Sequence, residues 1–331
     1  MSDDKKVSRQ LLAGFNCNTA TSINAMNHAI EHENYGRARA IQEAGTKFLI
    51  ALLPDNPKVQ FHTEFVVDQT TNLQIPIGIY SPINIEKSCP VFLWIHGGGM
   101  IAGSYKQNEA FLRFLCEELQ CVIVGVDYRL APENPYPAAI DDCYSTLKWI
   151  HKNHEKLGID PEKIAIGGAS AGGNLAAALA LKARDMNELS VIFQLLIYPM
   201  LDDKNLYSVD DQHTDTPLWT RRCNQIGWNA YLQEITNRNN VPIYAAPYRA
   251  NDLSNLPPAT VIVGELDLFL EESIVYAQRL LKAGISTALH VYPGAYHGFD
   301  FLALKSDIGK QCEEAILVGL KGAFNNNWVN I

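Results

Sequence analysis

The sequence lacks the features of a membrane, secreted or nucleic-acid-binding protein. No apolar run approaches the roughly 18 residues that a membrane span needs, so we expect no stable membrane insertion. Residues 1–10 lack the charged-then-apolar profile of a secretory signal, which favours a cytoplasmic location. The formal net charge of −9 and the absence of a Lys/Arg cluster exclude nucleic acid as an expected partner.

Cysteine is sparse, and its spacing excludes the usual metal and disulfide patterns. The seven cysteines are an odd number, and no two of them have C-x-x-C spacing. Several lie in apolar runs, which is typical of buried reduced thiols. We therefore predict neither disulfides nor a zinc site.

Apolar residues at helical spacing predict two amphipathic helices in residues 1–55. With 47% hydrophobic residues, the chain of 331 residues can bury a large core, and these helices are expected to pack on it. Their apolar faces also allow a lipid surface or a second copy of the chain, a homodimer, as partner. The apolar positions are Ile23, Met26 and Ile30 in the first helix, and Ile41, Phe48, Leu49 and Leu52 in the second, which Pro54 ends.

The alternation of apolar runs and helix-like segments in residues 56–331 predicts one α/β domain with an insertion. Residues 61–68 and 73–80 resemble a hairpin, and the following short apolar runs alternate with helix-like segments. This alternation indicates a mainly parallel central sheet flanked by helices on both faces. Residues about 200–250 are polar and too long for a simple connection, so we interpret them as a cap insertion joined in space by the N-terminal helices.

A glycine-flanked serine follows one of the apolar runs. The segment GASAG, residues 168–172, fits the G-x-S-x-G pattern of a nucleophile elbow at Ser170. In such an elbow, a sharp strand-to-helix turn exposes the hydroxyl, and the glycines let strand and helix approach closely. The alternative is a glycine-rich turn that a serine caps. An alanine-rich helix pattern follows directly, which favours the elbow.

A second glycine-rich segment, HGGGM at residues 96–100, follows an earlier strand. It lacks the Lys-Ser/Thr of a phosphate-binding loop and the spacing of a dinucleotide fingerprint. Backbone N–H groups of Gly97 and Gly98, with that of Ala171 after the serine, predict an oxyanion hole. We interpret His96 as an organiser of this loop, because it precedes the glycines.

A base and an acid are expected after Ser170 in the chain. Among nine histidines, His297 alone follows the last predicted strand on a loop of small residues, where it could reach back to the serine. Asp267 ends an apolar run and is the preferred acid. Glu265, Asp202 and Asp203 remain alternatives, and Asp267 also suits a helix cap.

Five motifs occur in the order HGGGM, DYRLAPENPYPAAIDD, GASAGG, ELDLFLEES and YHGF. Together they resemble the hormone-sensitive-lipase-like branch of the α/β-hydrolase carboxylesterases, called family IV in bacteria. The resemblance covers roughly residues 60–325. It implies the α/β-hydrolase fold, a helical cap and a preference for short acyl chains. It also implies the same site: Ser170 as nucleophile, His297 as base, Asp267 as acid, and Gly97, Gly98 and Ala171 as oxyanion donors.

Three positions depart from the family pattern. Ala169 stands where Asp or Thr is common, Met100 where an aromatic residue is common, and Leu268 where proline is usual. None removes a catalytic atom, so the departures concern pocket shape and contacts between subunits. We also expect a buried polar network near the oxyanion loop, because buried charged residues must find partners. Its members are Asp127, Tyr128, Arg129, Asp141 and Asp142.

The sequence therefore predicts hydrolysis of small esters through a serine acyl-enzyme, without a metal or an organic cofactor. Amides, lactones and acetylated substrates are alternatives for the same site. A non-catalytic small-molecule receptor of this fold, as in the related gibberellin receptors, is the alternative from another class. Those receptors lack the catalytic histidine, whereas this chain has His297 at that place, which favours an enzyme. Four aromatic residues of the insertion are candidates for pocket lining: Trp219, Trp228, Tyr231 and Tyr244.

Overall fold

An eight-stranded sheet organises the computed structural model, which describes residues 7, 11, 17–68, 72–84, 88–205 and 218–327. The strands are β1 (Val59–Val67), β2 (Gln74–Pro82), β3 (Cys89–Ile95), β4 (Val122–Val126), β5 (Ile159–Ala169), β6 (Phe193–Ile197), β7 (Ala259–Gly264) and β8 (Thr287–Tyr292). Their spatial order is β1-β2-β4-β3-β5-β6-β7-β8; the β1–β2 and β2–β4 pairs are antiparallel and all other pairs are parallel. The predicted hairpin and the mainly parallel sheet are confirmed.

Helices cover both faces of the sheet because the central strands are apolar on both sides. In β3, Val91 and Leu93 face one core cluster, whereas Phe92 and Trp94 face the other. The described helices are α1 (Cys17–Glu31), α2 (Tyr35–Ala51), α3 (Glu109–Leu119), α4 (Ala138–Lys152), α5 (His154–Leu157), α6 (Ala171–Met186), α7 (Arg221–Tyr231), α8 (Leu270–Lys282), α9 (Phe299–Leu302) and α10 (Asp307–Phe324). Helices α4, α6 and α8 pack on the first face, and α3 and α10 pack on the second.

The N-terminal helices and the predicted insertion meet above the sheet. Thr220, which caps α7, donates a 3.1 Å hydrogen bond to Glu31 at the end of α1. Asp203 and Arg249 pair bidentately at 2.6 and 2.8 Å and so tie the two ends of the insertion together. These contacts agree with a cap assembled from both segments, while the boundary at residue 55 stays a prediction. Residues 206–217, which include His213, lie outside the described residues.

The apolar face predicted for α2 is not buried against the sheet domain. Phe48, Leu49 and Leu52 are between 60% and 65% exposed. The side of α2 that meets the domain also carries polar residues, because Arg39 and Gln42 hydrogen-bond to the loops that follow β3 and β4. Helical periodicity located the helix correctly, but hydrogen bonds as well as apolar contacts set its orientation.

The cysteines behave as expected in the part of the chain whose side chains are described. Six of them are free and buried, and Cys17 lies outside those side chains. Burial raises the pKa of the Cys121 and Cys143 thiols well above the ordinary value, so both stay protonated and unreactive. Among the described helices, none combines the length and the apolar character required to cross a bilayer.

Candidate active site

Ser170 lies in the turn between β5 and α6, and its backbone has the unusual dihedral angles of a tight turn. Its φ of 58° and ψ of −119° fall outside the regions that non-glycine residues prefer. A Cβ on Gly172 would lie 2.0 Å from the carbonyl oxygen of Ile95, and one on Gly168 would lie 2.4 Å from Gly172. The glycines are therefore required for the close approach of α6 to the sheet, as the sequence predicts.

His297 joins Ser170 to Asp267. Its Nε2 lies 3.1 Å from the Ser170 hydroxyl oxygen, and its Nδ1 lies 2.9 Å from an Asp267 carboxylate oxygen. All three side chains are buried, with residual exposures of 4% to 6%. The histidine lies on the loop after β8, and the aspartate on the loop after β7. Ser170 and His297 are 127 positions apart in the chain. With Asp267 they form one hydrogen-bonded series at the carboxyl ends of the strands.

Asp267 also holds the local backbone. Its second carboxylate oxygen accepts a 2.9 Å hydrogen bond from the N–H of Phe269, just before α8 begins. Phe269 is the N-cap of this helix, so the alternative role of Asp267 as a helix cap is not observed. The carboxylate instead binds the backbone before the helix with one oxygen and His297 with the other. The backbone bond fixes the carboxylate, so the oxygen that meets His297 keeps its orientation.

The alternative acids contact other groups. Glu265 accepts a 2.9 Å hydrogen bond from the N–H of Gly294 and so braces the loop that leads to His297. Asp202 accepts from the N–H of Lys204, and Asp203 pairs with Arg249. None of these three carboxylates is the group that meets the His297 ring in the structure.

His96 organises the glycine loop. Its Nδ1 lies 2.8 Å from the Gly97 carbonyl oxygen, and its ring stacks on Tyr128 with centroids 4.1 Å apart. Its Nε2 is 3.8 Å from the Asp127 carboxylate, too far for a hydrogen bond. Complete burial lowers the pKa of the imidazole, so the ring is neutral at pH 7. These contacts agree with a structural role rather than that of a base.

Two of the three predicted oxyanion donors, Gly97 and Gly98, line the same cavity as Ser170, and the third, Ala171, follows the serine in the chain. A Cβ on Gly97 would lie 2.9 Å from the Ala169 carbonyl oxygen and 3.4 Å from the Ser170 Cβ, so the glycine backbone lies against the elbow. Gly98 has a φ of 116°, which favours glycine. Ala171 is the first residue of α6, where backbone N–H groups have no partner within the helix. Donation to a substrate oxygen stays a prediction.

The polar network predicted near this loop is only partly buried. Tyr128 donates a 3.0 Å hydrogen bond to the His96 carbonyl oxygen. Buried Asp142 binds the Arg129 guanidinium with contacts as short as 2.7 Å. Asp141 instead pairs with Lys182 near the surface. The network thus supports the backbone below the glycine loop.

A cavity of about 260 Å³ opens above Ser170 and His297. Its walls come from α1, α2, the glycine loop and the insertion, and they are mostly apolar. Trp219 lines it as predicted, and its indole occupies the space that a Cβ on Gly99 would need. The other three aromatic candidates were wrong: Trp228 and Tyr231 are buried in the core, and Tyr244 donates to Asp185.

Sequence reasoning missed a second carboxylate close to His297. Tyr198 packs against the imidazole with ring centroids 4.5 Å apart and donates a 2.6 Å hydrogen bond to Asp300. Burial raises the pKa of Asp300, while Tyr198 and the nearby His297 act in the opposite direction. The one available signal was the position of Asp300 three residues after the histidine, in the short helix that follows the histidine loop.

Known proteins share this fold and this arrangement of elements. A family model described as alpha/beta hydrolase fold matches residues 92–301. Carboxylesterase NlhH of Mycobacterium tuberculosis is 36% identical over 254 residues, covering 76% of this chain and 79% of that protein. An arylesterase of Saccharolobus solfataricus is 34% identical over 260 residues, covering 78% of this chain and 83% of that protein.

The likeness extends to solved structures. A bacterial heroin esterase superposes with a TM-score of 0.88 at 35% identity, covering 98% of this chain and 99% of that one. The fold, the family model and the length of the shared sequence agree. This chain belongs to the α/β-hydrolase family, in its hormone-sensitive-lipase-like branch.

Proposed function

We propose that this protein is a serine carboxylesterase that hydrolyses esters with short acyl chains. The observation that carries the proposal is the hydrogen-bonded series from Ser170 through His297 to Asp267, at 3.1 and 2.9 Å. Relatives described as a carboxylesterase and an arylesterase support the ester as the substrate class. The cavity opens directly onto the serine and the histidine, so a bound carbonyl group can approach the hydroxyl.

Acylation begins when the Ser170 oxygen attacks the ester carbonyl carbon. His297 accepts the serine proton at Nε2, and Asp267 holds the proton on Nδ1 and stabilises the imidazolium. The N–H groups of Gly97, Gly98 and Ala171 bind the negative oxygen of the tetrahedral intermediate. His297 then gives its proton to the departing alcohol, which leaves an acyl group on Ser170.

Deacylation repeats these steps with water as the nucleophile. His297 takes a proton from water, the hydroxide oxygen attacks the acyl carbon, and the serine oxygen leaves with the proton that His297 returns. The carboxylic acid product then departs, and Ser170 is restored. Every proton in this cycle moves through the same imidazole nitrogen, which explains why Nδ1 must stay bonded to Asp267.

The size and the lining of the cavity support short chains. Its volume of about 260 Å³ is below the roughly 300–1,000 Å³ of sites for drug-sized ligands. Its predominantly apolar walls suit an alkyl substituent rather than a charged one. Small aliphatic or aryl esters therefore fit the proposal best.

The test is hydrolysis of p-nitrophenyl esters of increasing acyl length by the wild-type protein and by Ser170→Ala. We expect Ser170→Ala to lower kcat by at least about 10⁴-fold while the protein stays folded. Ser145→Ala is the matched control, since this serine is also buried but donates to Asp68 far from the cavity. A folded wild-type protein that hydrolyses no ester, or a fully active Ser170→Ala, would contradict the proposal.

A further inference from the structure

A second cavity of about 280 Å³ lies beside the cavity that contains Ser170. It runs between α2 and the loop at residues 103–107, and it reaches the surface. Its walls are mixed: Ile50 and Leu130 are apolar, three cationic side chains carry alkyl stems that can cover apolar groups, and the carboxylates of Glu43 and Asp127 also line it. Nothing in the proposed reaction uses this space.

The same side chains form the wall of both cavities. Gln42, Thr46 and Gln107 line the cavity at Ser170 and also the second cavity. Gln42 Nε2 donates a 2.7 Å hydrogen bond to Gln107 Oε1 across the boundary. The two amides therefore close the passage from one cavity to the other.

Both glutamines are held on rigid supports. Arg39, almost one turn before Gln42 on α2, donates to the Ile101 and Ala131 carbonyl oxygens at 2.8 and 2.7 Å. Gln107 belongs to a short 3₁₀ turn whose N-cap is Ser104. Both backbones are therefore anchored independently, and the hydrogen bond between the two amides is the contact that closes the boundary.

We propose that the Gln42–Gln107 pair limits the length of one substituent of the ester, and that the second cavity is a latent extension of the substrate site. This inference rests on the proposed esterase function. A chain that enters the Ser170 cavity along α2 meets the two amides and stops there. An apolar chain cannot satisfy their polar atoms if it separates them, so a longer chain incurs the cost of breaking a half-buried hydrogen bond.

The experiment measures kcat/KM for two substrate series with the full-length protein. One series varies the acyl group of p-nitrophenyl esters from two to ten carbons, and the other varies the alcohol of alkyl acetates over the same range. The variants are Gln42→Ala, Gln107→Ala and the double variant. Gln233→Ala is the matched control, because its amide also bridges the cap to the sheet domain, at the Pro132 carbonyl oxygen, but lines neither cavity.

We expect the ratio of kcat/KM for eight-carbon to four-carbon chains to rise at least about tenfold in one series, since each methylene that leaves water adds to binding. The series that responds identifies the substituent that lies along α2. Gln233→Ala is expected to keep the wild-type ratio.

Three results would overturn the inference, and they can be told apart. Hydrolysis that depends on Ser170 but keeps the wild-type ratio in both series for all three variants contradicts the barrier alone. Absence of hydrolysis by the wild-type protein, or equal activity of Ser170→Ala, contradicts the proposed function and with it the barrier. A rise in the ratio for Gln233→Ala equal to that for Gln107→Ala also contradicts the barrier, because it assigns the effect to a loosened cap.

Discussion

Tyr198 donates a 2.6 Å hydrogen bond to Asp300, and the same tyrosine ring lies against the imidazole of His297. A second carboxylate is thus linked to the environment of the proposed base, in addition to Asp267. Its negative charge favours the imidazolium that forms when His297 accepts the serine proton. We therefore expect Asp300 to contribute to the rate through charge rather than through contact with the substrate.

Asp300→Asn is expected to lower kcat about tenfold at pH 7–8, which corresponds to about 1.4 kcal/mol of lost stabilisation. Burial raises the pKa of Asp300, so the wild-type carboxylate loses its charge at a higher pH than an ordinary aspartate does. The ratio of wild-type to variant kcat should therefore shrink as the pH falls through that raised pKa. A ratio that stays constant with pH would assign Asp300 a purely structural role.

Asp267→Asn is expected to reduce kcat by about 10⁴-fold, because an amide at this position favours the wrong imidazole tautomer. Glu265→Gln is the matched control: this carboxylate lies two residues away and holds the N–H of Gly294 instead of the histidine. We expect its loss to be less than about tenfold, as for a group that only braces the loop. Steady-state kinetics with a p-nitrophenyl ester measures both. Equal losses in the two variants would contradict the assignment of Asp267.

Gly97→Ala is expected to lower kcat by about 10²- to 10³-fold, the usual cost of losing an oxyanion donor. The added Cβ would lie 2.9 Å from the Ala169 carbonyl oxygen, so the loop must move away from Ser170. Gly36→Ala, on α2 with no atom within 4 Å of the new Cβ, should leave kcat unchanged. It should also stabilise the protein by less than about 1 kcal/mol. Kinetics and thermal unfolding of both variants test this; wild-type kcat in Gly97→Ala would remove Gly97 from the site.

Arg39→Met is expected to destabilise the protein by about 2–3 kcal/mol, since charge-assisted hydrogen bonds to two backbone carbonyl groups are lost. Glu133→Gln keeps both of those bonds and weakens only a partly exposed ion pair, so its cost should be below about 1 kcal/mol. Urea unfolding of the two variants gives the comparison. If Glu133→Gln loses as much unfolding free energy as Arg39→Met, the ion pair rather than the backbone hydrogen bonds fastens α2.

Much of the site could be predicted because its residues follow strands in a fixed way. Ser170, Asp267 and His297 each come just after an apolar run, and parallel strands bring such positions to one edge of the sheet. Asp300 and the Gln42–Gln107 pair have no such signal. Their roles depend on which side chains face one another across elements that are far apart in the chain.

The errors have the same origin. Trp228 and Tyr231 of the insertion were candidates for pocket lining, yet the rotation of α7 turns them into the core. The apolar residues of α2 were expected to be buried, but Phe48 stays exposed because Arg39 fastens the opposite side of the helix, and Leu49 lines the cavity at Ser170. Periodicity finds a helix and its apolar face, but the direction in which that face points depends on the partners.

The amino-acid sequence by itself determined the sheet, the elbow at Ser170 and the order of the functional motifs, since these depend on local patterns of apolar residues and glycine. Only the tertiary structure decided the distances that make chemistry feasible, such as the 3.1 Å between Ser170 and His297. It also decided which amides separate the two cavities. The physical reason is that hydrogen bonds require groups to approach within about 3 Å, and that approach is set by the packing of distant segments, which no local pattern encodes.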